Sequence, residues 1–170
     1  GSLRSRGWEI TIDYRHKFGD VNAYATFNLS DYKTKVTQWD SNNFTNTYYT
    51  GKEYGEIWGF ETDRYFDFND FNGQDGKGKW IYKDGVADQT ALQSGTFVYG
   101  PGDVKFVDQN GDGKIDWGKG TAEDHGDLVK IGNSTPRYQY SLRLGAEWKG
   151  FDIDLYMQGV GKRDMWTQSA

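Results

Sequence analysis

The sequence predicts an all-β protein built from antiparallel strands, and three observations support this. Aromatic residues make up 17% of the chain, although hydrophobic residues make up only 35%. Glycine occurs 23 times and proline 2 times. Aromatic residues favour strands and are scarce in disordered chains, which lack the apolar surface that pays for ordering. Apolar and polar residues also alternate strictly in four segments, and this period of two is typical of strands with one apolar face.

The first predicted hairpin covers residues 7–35. Its first strand runs from Gly7 to Phe18, Gly19-Asp20 forms the turn, and the second strand runs from Val21 to about Tyr32. Residues 1–6 are either a tag remnant or the leading end of the first strand. The apolar positions of the two strands are Trp8, Ile10, Ile12, Tyr14, Ala23, Ala25, Phe27 and Leu29.

The second predicted hairpin covers residues 136–160. Its first strand runs from Arg137 to Trp148, Lys149-Gly150 forms the turn, and the second strand begins at Phe151. Residues 161–170 are expected to begin the next external loop. The apolar positions are Tyr138, Tyr140, Leu142, Leu144, Ala146, Trp148, Phe151, Ile153, Leu155 and Met157.

Strands with one apolar and one polar face occur both in soluble β-sandwiches and in membrane barrels. Three features favour the barrel: the polar faces carry many charges and amides, aromatic residues gather near strand ends, and the strands suit the roughly 9–11 residues that cross a bilayer at a tilt. The strand-end aromatics are Trp8, Phe18, Tyr138, Trp148 and Phe151. Four strands do not close a barrel, for which about eight is the minimum, so we expect a fragment of a larger one.

Between the hairpins, residues 36–135 form a connection far longer than the dozen or so residues usual for a loop. Outer-membrane barrels have short periplasmic turns and long external loops. We therefore expect the turns at Gly19-Asp20 and Lys149-Gly150 on the periplasmic side. The long connection is then extracellular.

The sharpest local motif in this connection is a candidate calcium loop at residues 108–116. Oxygen ligands at alternate positions, with glycines that permit a tight coil, suit Ca²⁺, which takes six to eight oxygens. An EF-hand is excluded because its twelfth position is Lys119 rather than Glu, although Glu123, Asp124 or Asp127 are candidates to complete the shell. The alternative is a solvated Asn-Gly-Asp-Gly turn. The candidate ligands are Asp108, Asn110, Asp112, Lys114 through its carbonyl, and Asp116.

Six aromatic residues of the connection are candidates for contact with a ligand or partner. Aromatic faces beside amides and carboxylates suit sugar stacking, and Tyr and Trp are also enriched at protein interfaces. The default interpretation is the small core that such a long connection needs. The six are Trp39, Tyr48, Tyr49, Trp58, Trp80 and Tyr82.

Composition also excludes several functions. The net charge is −5 and no basic stripe stands out along the sequence, so no nucleic-acid partner is expected. Cysteine is absent, which removes disulfides and thiolate chemistry. No catalytic dyad has partners placed to activate a nucleophile, so we expect no enzyme. No apolar run reaches the ~18 residues of a transmembrane helix.

A series of short motifs runs along nearly the whole sequence. The motifs are Gly7-Trp8-Glu9, Asn28–Tyr32, Gly51–Phe60, Gly102–Phe106, Asp108–Asp116, Ile131–Pro136 with Arg137-Tyr138, Lys149–Asp152 and Gln158-Gly159. In this order they resemble the SusC/RagA type of TonB-dependent outer-membrane transporter. Arg64-Tyr65 departs from that pattern, which usually shows Gly and an aliphatic residue there, so the local loop geometry is expected to differ.

The resemblance implies a large barrel in the cell outer membrane, closed inside by a plug. It implies a SusD-like surface lipoprotein as lid, and TonB as the source of energy through parts not present in these residues. Oligosaccharides, or in some members peptides, are the implied substrates, and outer-membrane lipid surrounds the barrel. The competing hypothesis is a soluble, calcium-stabilised β module that binds glycan.

Overall fold

The structure is a computed structural model, and it describes residues 1–40, 44–45 and 47–166. It is all-β, as the sequence predicts. Two short 3-10 helices lie at Phe68–Asp70 and Thr90–Leu92. The strands are β1 (Ser2–Phe18), β2 (Val21–Gln38), β3 (Glu56–Phe60), β4 (Thr62–Tyr65), β5 (Phe71–Gln74), β6 (Trp80–Tyr82), β7 (Val104–Phe106), β8 (Leu128–Asn133), β9 (Arg137–Trp148) and β10 (Phe151–Lys162).

Strands β1, β2, β9 and β10 form one open sheet in the order β1-β2-β9-β10. All three neighbouring pairs are antiparallel. Both predicted hairpins are therefore present, and their turns lie where the sequence places them. At the second turn Lys149 and Gly150 both have positive φ, 46° and 86°. This is the backbone pattern of the tight turn that matches the twist of a hairpin.

The strands extend beyond their predicted bounds. Pairing of β1 with β2 continues out to Ser2 opposite Gln38, so residues 2–6 form the leading end of the strand. Strand β10 continues to Lys162, two residues into the segment expected to be an external loop. Residues 167–170 of that segment lie outside the described part of the chain.

The connection between the hairpins has more regular structure than a loop. It contains β3–β8 and both 3-10 helices, with β3 paired to β8, β4 to β7 and β5 to β6. The chain divides into two compact units. The sheet unit comprises residues 1–38, 51–56 and 133–170, and the insert unit comprises residues 39–50 and 57–132. The predicted boundaries at 36 and 135 thus enclose three segments, 36–38, 51–56 and 133–135, that belong with the sheet.

In the sheet unit, residues 51–54 cover the edge that β2 exposes beyond the start of β9. The Val36 amide donates to the Lys52 carbonyl at 2.9 Å, and the Tyr54 amide donates to the Thr34 carbonyl at 2.8 Å. Val36 is 1% exposed as a result. Pairing of this kind satisfies backbone groups that an open sheet edge leaves unpaired.

The insert unit has its own small core, in which Phe66, Phe71 and Ile115 are almost fully buried. Two polar side chains, Gln89 and Asp127, are buried with them at 0% and 1% exposure. In the described part of the chain, no helical segment has the length and apolar character required to cross a membrane.

Candidate functional site

One face of the four-stranded sheet is apolar across all four strands. Residues directly opposite in neighbouring strands share a face, and alternate residues along a strand share a face. The register places Ile12 opposite Phe27, Phe27 opposite Leu142, and Leu142 opposite Met157. The same alignment holds on either side of this row. The apolar face consists of Ile10, Ile12, Tyr14, Phe18, Val21, Ala23, Ala25, Phe27, Leu29, Tyr140, Leu142, Leu144, Ala146, Trp148, Phe151, Ile153, Leu155 and Met157.

The apolar face is exposed rather than packed within the sheet unit. Ile12 is 57% exposed, Ile153 68% and Phe151 76%. A contiguous exposed apolar area that spans four strands is rare on soluble monomers, and such areas mark contact with a partner or a membrane. His16 is a polar interruption on β1; its ring stacks on Tyr14 and meets the Phe18 ring edge-on.

Aromatic residues border the apolar face at both ends. At the end with the short turns, Phe18 lies at one edge of the sheet, and Trp148 lies opposite Phe151 at the other. At the end where the long connection leaves and returns, the border residues are Trp8, Tyr138 and Tyr140. The sequence predicts that aromatic residues gather near the strand ends. In the structure these aromatic residues border the same face of the sheet.

The opposite face of the sheet is polar and is bonded across strands. The Thr26 hydroxyl donates to Asp13 at 2.6 Å. The Thr11 hydroxyl donates to the Asn28 carbonyl oxygen at 2.8 Å, and the Asn28 amide donates to Ser141 at 3.0 Å. These side chains are exposed or half-buried, so they satisfy one another while remaining open to water.

Three strands are also joined on this polar face by a charged group. Arg143 forms an ion pair with Asp154 at 2.7 Å, and the Tyr24 hydroxyl donates to the same carboxylate at 2.6 Å. The Tyr24 ring lies over Gly145, where an added Cβ would collide with it. Glycine at 145 therefore leaves the space that the Tyr24 ring fills.

Asp31 and Arg137 form a bidentate ion pair at the long-connection end of the sheet. Asp31 is 7% exposed and also accepts the Tyr138 amide at 3.3 Å. Tyr138 has a φ of 53°, unusual for a residue other than glycine. The β2–β9 ladder ends next to it, at Ser30 opposite Gln139. The alternation of side-chain direction along β9 breaks at this point. The Arg137 guanidinium contacts Asp31 on β2, the neighbouring strand of the sheet.

In the insert unit, the candidate calcium ligands form a coil of side-chain-to-backbone bonds. Asp108 accepts the Gly111 amide at 2.7 Å and the Gly113 amide at 2.9 Å. Asn110 accepts the Asp112 amide, Asp112 accepts the Lys114 amide, and Asp116 accepts the Gly118 amide. A side-chain carboxylate or amide oxygen has two lone pairs. Each of these oxygens can therefore accept a further bond besides the one from the backbone amide.

Buried Asp127 holds the two ends of this coil together. One carboxylate oxygen accepts the Gln109 amide at 2.8 Å and the other accepts the Asp116 amide at 2.8 Å. Sequence reasoning named Asp127 only as a candidate for completing an ion shell, and the structure shows it bonded to the backbone. Within the described residues, no three His, Cys, Asp or Glu side chains converge as a metal shell. The ion at residues 108–116 stays a prediction.

A buried side chain that the sequence analysis missed is Gln89. Its amide nitrogen donates to the Val104 carbonyl at 3.1 Å, and its amide oxygen accepts the Phe106 amide at 2.6 Å. Gln89 therefore pairs with β7 as a backbone would. No local pattern signals this role, because the partners lie more than a dozen residues away.

The six candidate contact aromatics do not form one surface. Trp39 packs on Tyr48, with ring centroids 5.0 Å apart, and Tyr49 packs on Trp58 at 6.5 Å. Trp80 and Tyr82 join a third cluster with the buried rings Phe66 and Phe71. Tyr49 is buried, whereas Trp39 and Tyr48 are each 37% exposed, so the three clusters differ in burial.

Tyr82 also lines a cleft of about 730 Å³ in the insert unit, together with Asp63, Lys105, Phe106 and Asp108. Burial raises the pKa of its phenol to about 12. The cleft thus combines aromatic edges with two lysines and with carboxylates.

Arg64, at the position that departs from the transporter pattern, binds Asp70. Its two terminal nitrogens donate to the carboxylate at 2.7 and 2.6 Å. Asp70 is 4% exposed, and this pairing lowers the pKa of its carboxyl to about 2. The Asp67 amide also donates to Asp70 at 2.9 Å, which caps the first 3-10 helix. The expectation that the loop geometry here differs from that of the family stays a prediction.

A scan against protein-family models finds no match to this chain, and a search of curated proteins finds none either.

Proposed function

We propose that this chain forms part of the wall and one external region of an outer-membrane transporter of the SusC/RagA type. The observation that carries the proposal is the four-stranded sheet with one face apolar on every strand and the other face polar on every strand. In a barrel wall the apolar face contacts lipid and the polar face lines a watered interior. Further strands outside this chain complete the wall.

The height of the apolar face supports this proposal. Phe18 lies ten residues after Trp8 on β1, and Trp148 lies ten residues after Tyr138 on β9. Ten residues of strand span about 33 Å. At a tilt of about 40°, the height across the membrane is about 25 Å, which equals the apolar band of outer-membrane barrels.

The proposed orientation follows from the connections. Outer-membrane barrels keep short turns on the periplasmic side, so the turns after β1 and β9 face the periplasm. The insert unit then lies outside the cell. The proposal is that it contacts substrate or a SusD-like lipoprotein there, and that the cleft beside Tyr82 meets an oligosaccharide or peptide. TonB would supply energy for import through other parts of the transporter, and no reaction on the substrate is involved.

The competing function is a soluble, calcium-stabilised module that binds glycan, and the coil at residues 108–116 is the observation that favours it. Such a module would bury the apolar face in a second protein layer. The two functions therefore differ in what covers Ile12 and Ile153.

The test is to express the open reading frame that encodes this chain, fractionate the outer membrane, and compare gel mobility with and without heating. A membrane-embedded product whose mobility changes on heating is expected, because closed barrels resist detergent until heated. A soluble product without a heat shift would overturn the transporter and leave the glycan-binding module.

A further inference from the structure

Four basic side chains lie together just beyond the Trp8 border of the apolar face. Arg4 stands opposite Lys35, and Arg6 stands opposite Lys33. Arg4, Arg6 and Trp8 alternate along β1, so the four cations continue the same face of the sheet as Trp8 and Ile10. We call these four residues the cationic rim. The sequence alone does not show the cationic rim, because the two arginines and the two lysines lie in segments almost thirty residues apart.

The cationic rim carries more positive charge than its surroundings neutralise. Lys33 lies 3.8 Å from Glu53, and in the described part of the chain no ion pair is formed by Arg4, Arg6 or Lys35. The nearest carboxylate on β2, Asp31, is already engaged by Arg137. The whole chain has a net charge of −5, so this concentration of cations runs against its general balance.

Like charges directly opposite each other destabilise a pair of strands. Two such pairs in adjacent rows therefore favour an anion supplied from outside the chain. A cleft of about 510 Å³ opens at this place, lined by the cationic rim together with Trp8 and with the Arg137–Asp31 ion pair, whose charges neutralise each other. Guanidinium and ammonium groups around an open cleft are the groups that bind phosphate, with Arg supplying two parallel hydrogen bonds.

The position of the cationic rim relative to the apolar face identifies the source of that phosphate. Arg6 and Arg4 lie two and four residues before Trp8, which is about 7 and 13 Å along the strand and about 5 and 10 Å across a membrane at the same tilt. The headgroup layer on each side of a bilayer is roughly 5–8 Å thick. Arg6 with Lys33 therefore falls at headgroup level, and Arg4 with Lys35 lies about 2 Å beyond that layer, on the side where the long connection leaves the sheet.

We propose that the cationic rim binds the phosphate groups of a phosphorylated glycolipid of the lipid A class in the outer leaflet. The proposal rests on the proposed function, because it takes the apolar face to be the lipid contact and the long connection to be external. The lipid's acyl chains would lie along Ile10 and Ile12 while its phosphates reach Arg4, Arg6, Lys33 and Lys35. The cationic rim thereby selects lipid by headgroup charge rather than by chain length.

The test compares two double variants of β1 in the full protein, purified in detergent. Arg4→Gln/Arg6→Gln removes two charges of the cationic rim, and Arg15→Gln/Lys17→Gln removes two exposed charges from the polar face of the same strand. Binding is measured by native mass spectrometry for lipid A, for the same lipid without its phosphates, and for inorganic phosphate. A cation near an anionic lipid surface contributes ~1 kcal/mol, so the rim variant should bind lipid A roughly 30-fold more weakly. The Arg15/Lys17 variant should bind as the parent does.

Lys33→Gln/Lys35→Gln, on β2, repeats the test should the Arg4/Arg6 variant fail to fold. Parent protein that binds lipid A and its dephosphorylated form equally would overturn the proposal. Equal lipid A binding by the rim and control variants would overturn it as well. Inorganic phosphate that binds as tightly as lipid A would assign the cleft to a free anion instead of a lipid.

Heat-dependent gel mobility of every variant separates this inference from the proposed function. A protein that is membrane-embedded and heat-modifiable, yet shows no difference between the rim and control variants, would overturn the cationic rim alone. A protein that never enters the membrane would overturn the proposed function, and the lipid site with it.

Discussion

Asp70 is a carboxylate enclosed by cations inside the insert unit. Arg64 binds both of its oxygens, and Lys105 lies 3.9 Å from one of them. The pKa of the carboxyl is lowered to about 2 in the folded protein. A lowered pKa means that the folded state favours the charged form, so the pair contributes stability above the unfolded pKa of about 4 and loses it as pH falls through the folded value.

We expect Asp70→Asn to lower the local unfolding free energy of residues 62–74 by roughly 1–2 kcal/mol at pH 7, a moderate value because Arg64 is partly exposed. Between pH 4 and pH 2 the parent should lose the same stability, so that the two proteins converge. Hydrogen exchange of the segment checks this. Asp84→Asn, a substitution at the edge of the cleft beside Tyr82, is the control. A difference in stability between parent and Asp70→Asn that persists unchanged at pH 2 would contradict this role of Asp70.

The coil at residues 108–116 makes a separate prediction at the scale of single ligands. If Ca²⁺ binds there, adding it should slow hydrogen exchange across the coil, since a ligand that binds only the folded state stabilises it in proportion to its occupancy. Asp112→Asn should remove most of this effect, because a neutral amide replaces a charged oxygen. Asp84→Asn should retain it. Exchange rates that are the same in calcium and in chelator would identify the coil as a hydrogen-bonded turn alone.

At the scale of the element, Gly145 shows how tightly the sheet strands are matched. The Tyr24 ring lies where a Cβ at 145 would be, and its hydroxyl reaches Asp154 on the next strand but one. Gly145→Ala should displace the ring and weaken that bond, at a cost of about 1–3 kcal/mol. The measurement is the temperature at which heating converts the faster-running gel band of the folded protein to the unfolded band. This temperature should be lower for Gly145→Ala than for the parent.

Gly76→Ala is the matched control, because nothing lies within 4 Å of a Cβ built there and its φ is not positive. It should leave the transition temperature unchanged. A Gly145→Ala protein that melts with Gly76→Ala would show that the Tyr24 ring is not held over β9 as described.

The hairpins were predictable because their information is local. Alternation from Trp8 to Tyr14 and from Tyr140 to Leu144 fixes which face is apolar, and the turns at Gly19 and Lys149-Gly150 fix the register. The pairing of β2 with β9 was not predictable, because a hundred residues separate them. It depends on cross-strand contacts such as Asn28 with Ser141, which only the fold brings together.

The insert unit was predictable only in its motifs. Spacing alone identified the oxygen-rich coil, since Asp108, Asn110 and Asp112 are close in sequence. The strands around it have three to six residues, too short for a clear period. Their positions depend on buried Gln89 and Asp127, whose bonds to distant backbone have no signature in the sequence.

What covers the apolar face of the sheet decides between a transporter wall and a soluble module. An area that spans four strands and is bordered by aromatics at both ends requires either acyl chains or a second protein layer. The polar face, with its exposed Asp13, Arg143 and Asp154, requires water on the other side of the same sheet. A lipid boundary on one side and a watered interior on the other satisfy both requirements.

The most direct measurement is lipid accessibility along one strand in the membrane-inserted protein. Because the chain has no cysteine, single cysteines at Ile12 and at Thr11 each give one fluorophore site. Lipids brominated in their acyl chains should quench the label at 12 and leave the label at 11 bright, while a water-soluble quencher should do the reverse. Quenching at 12 by neither agent, as in a buried protein layer, would contradict the account.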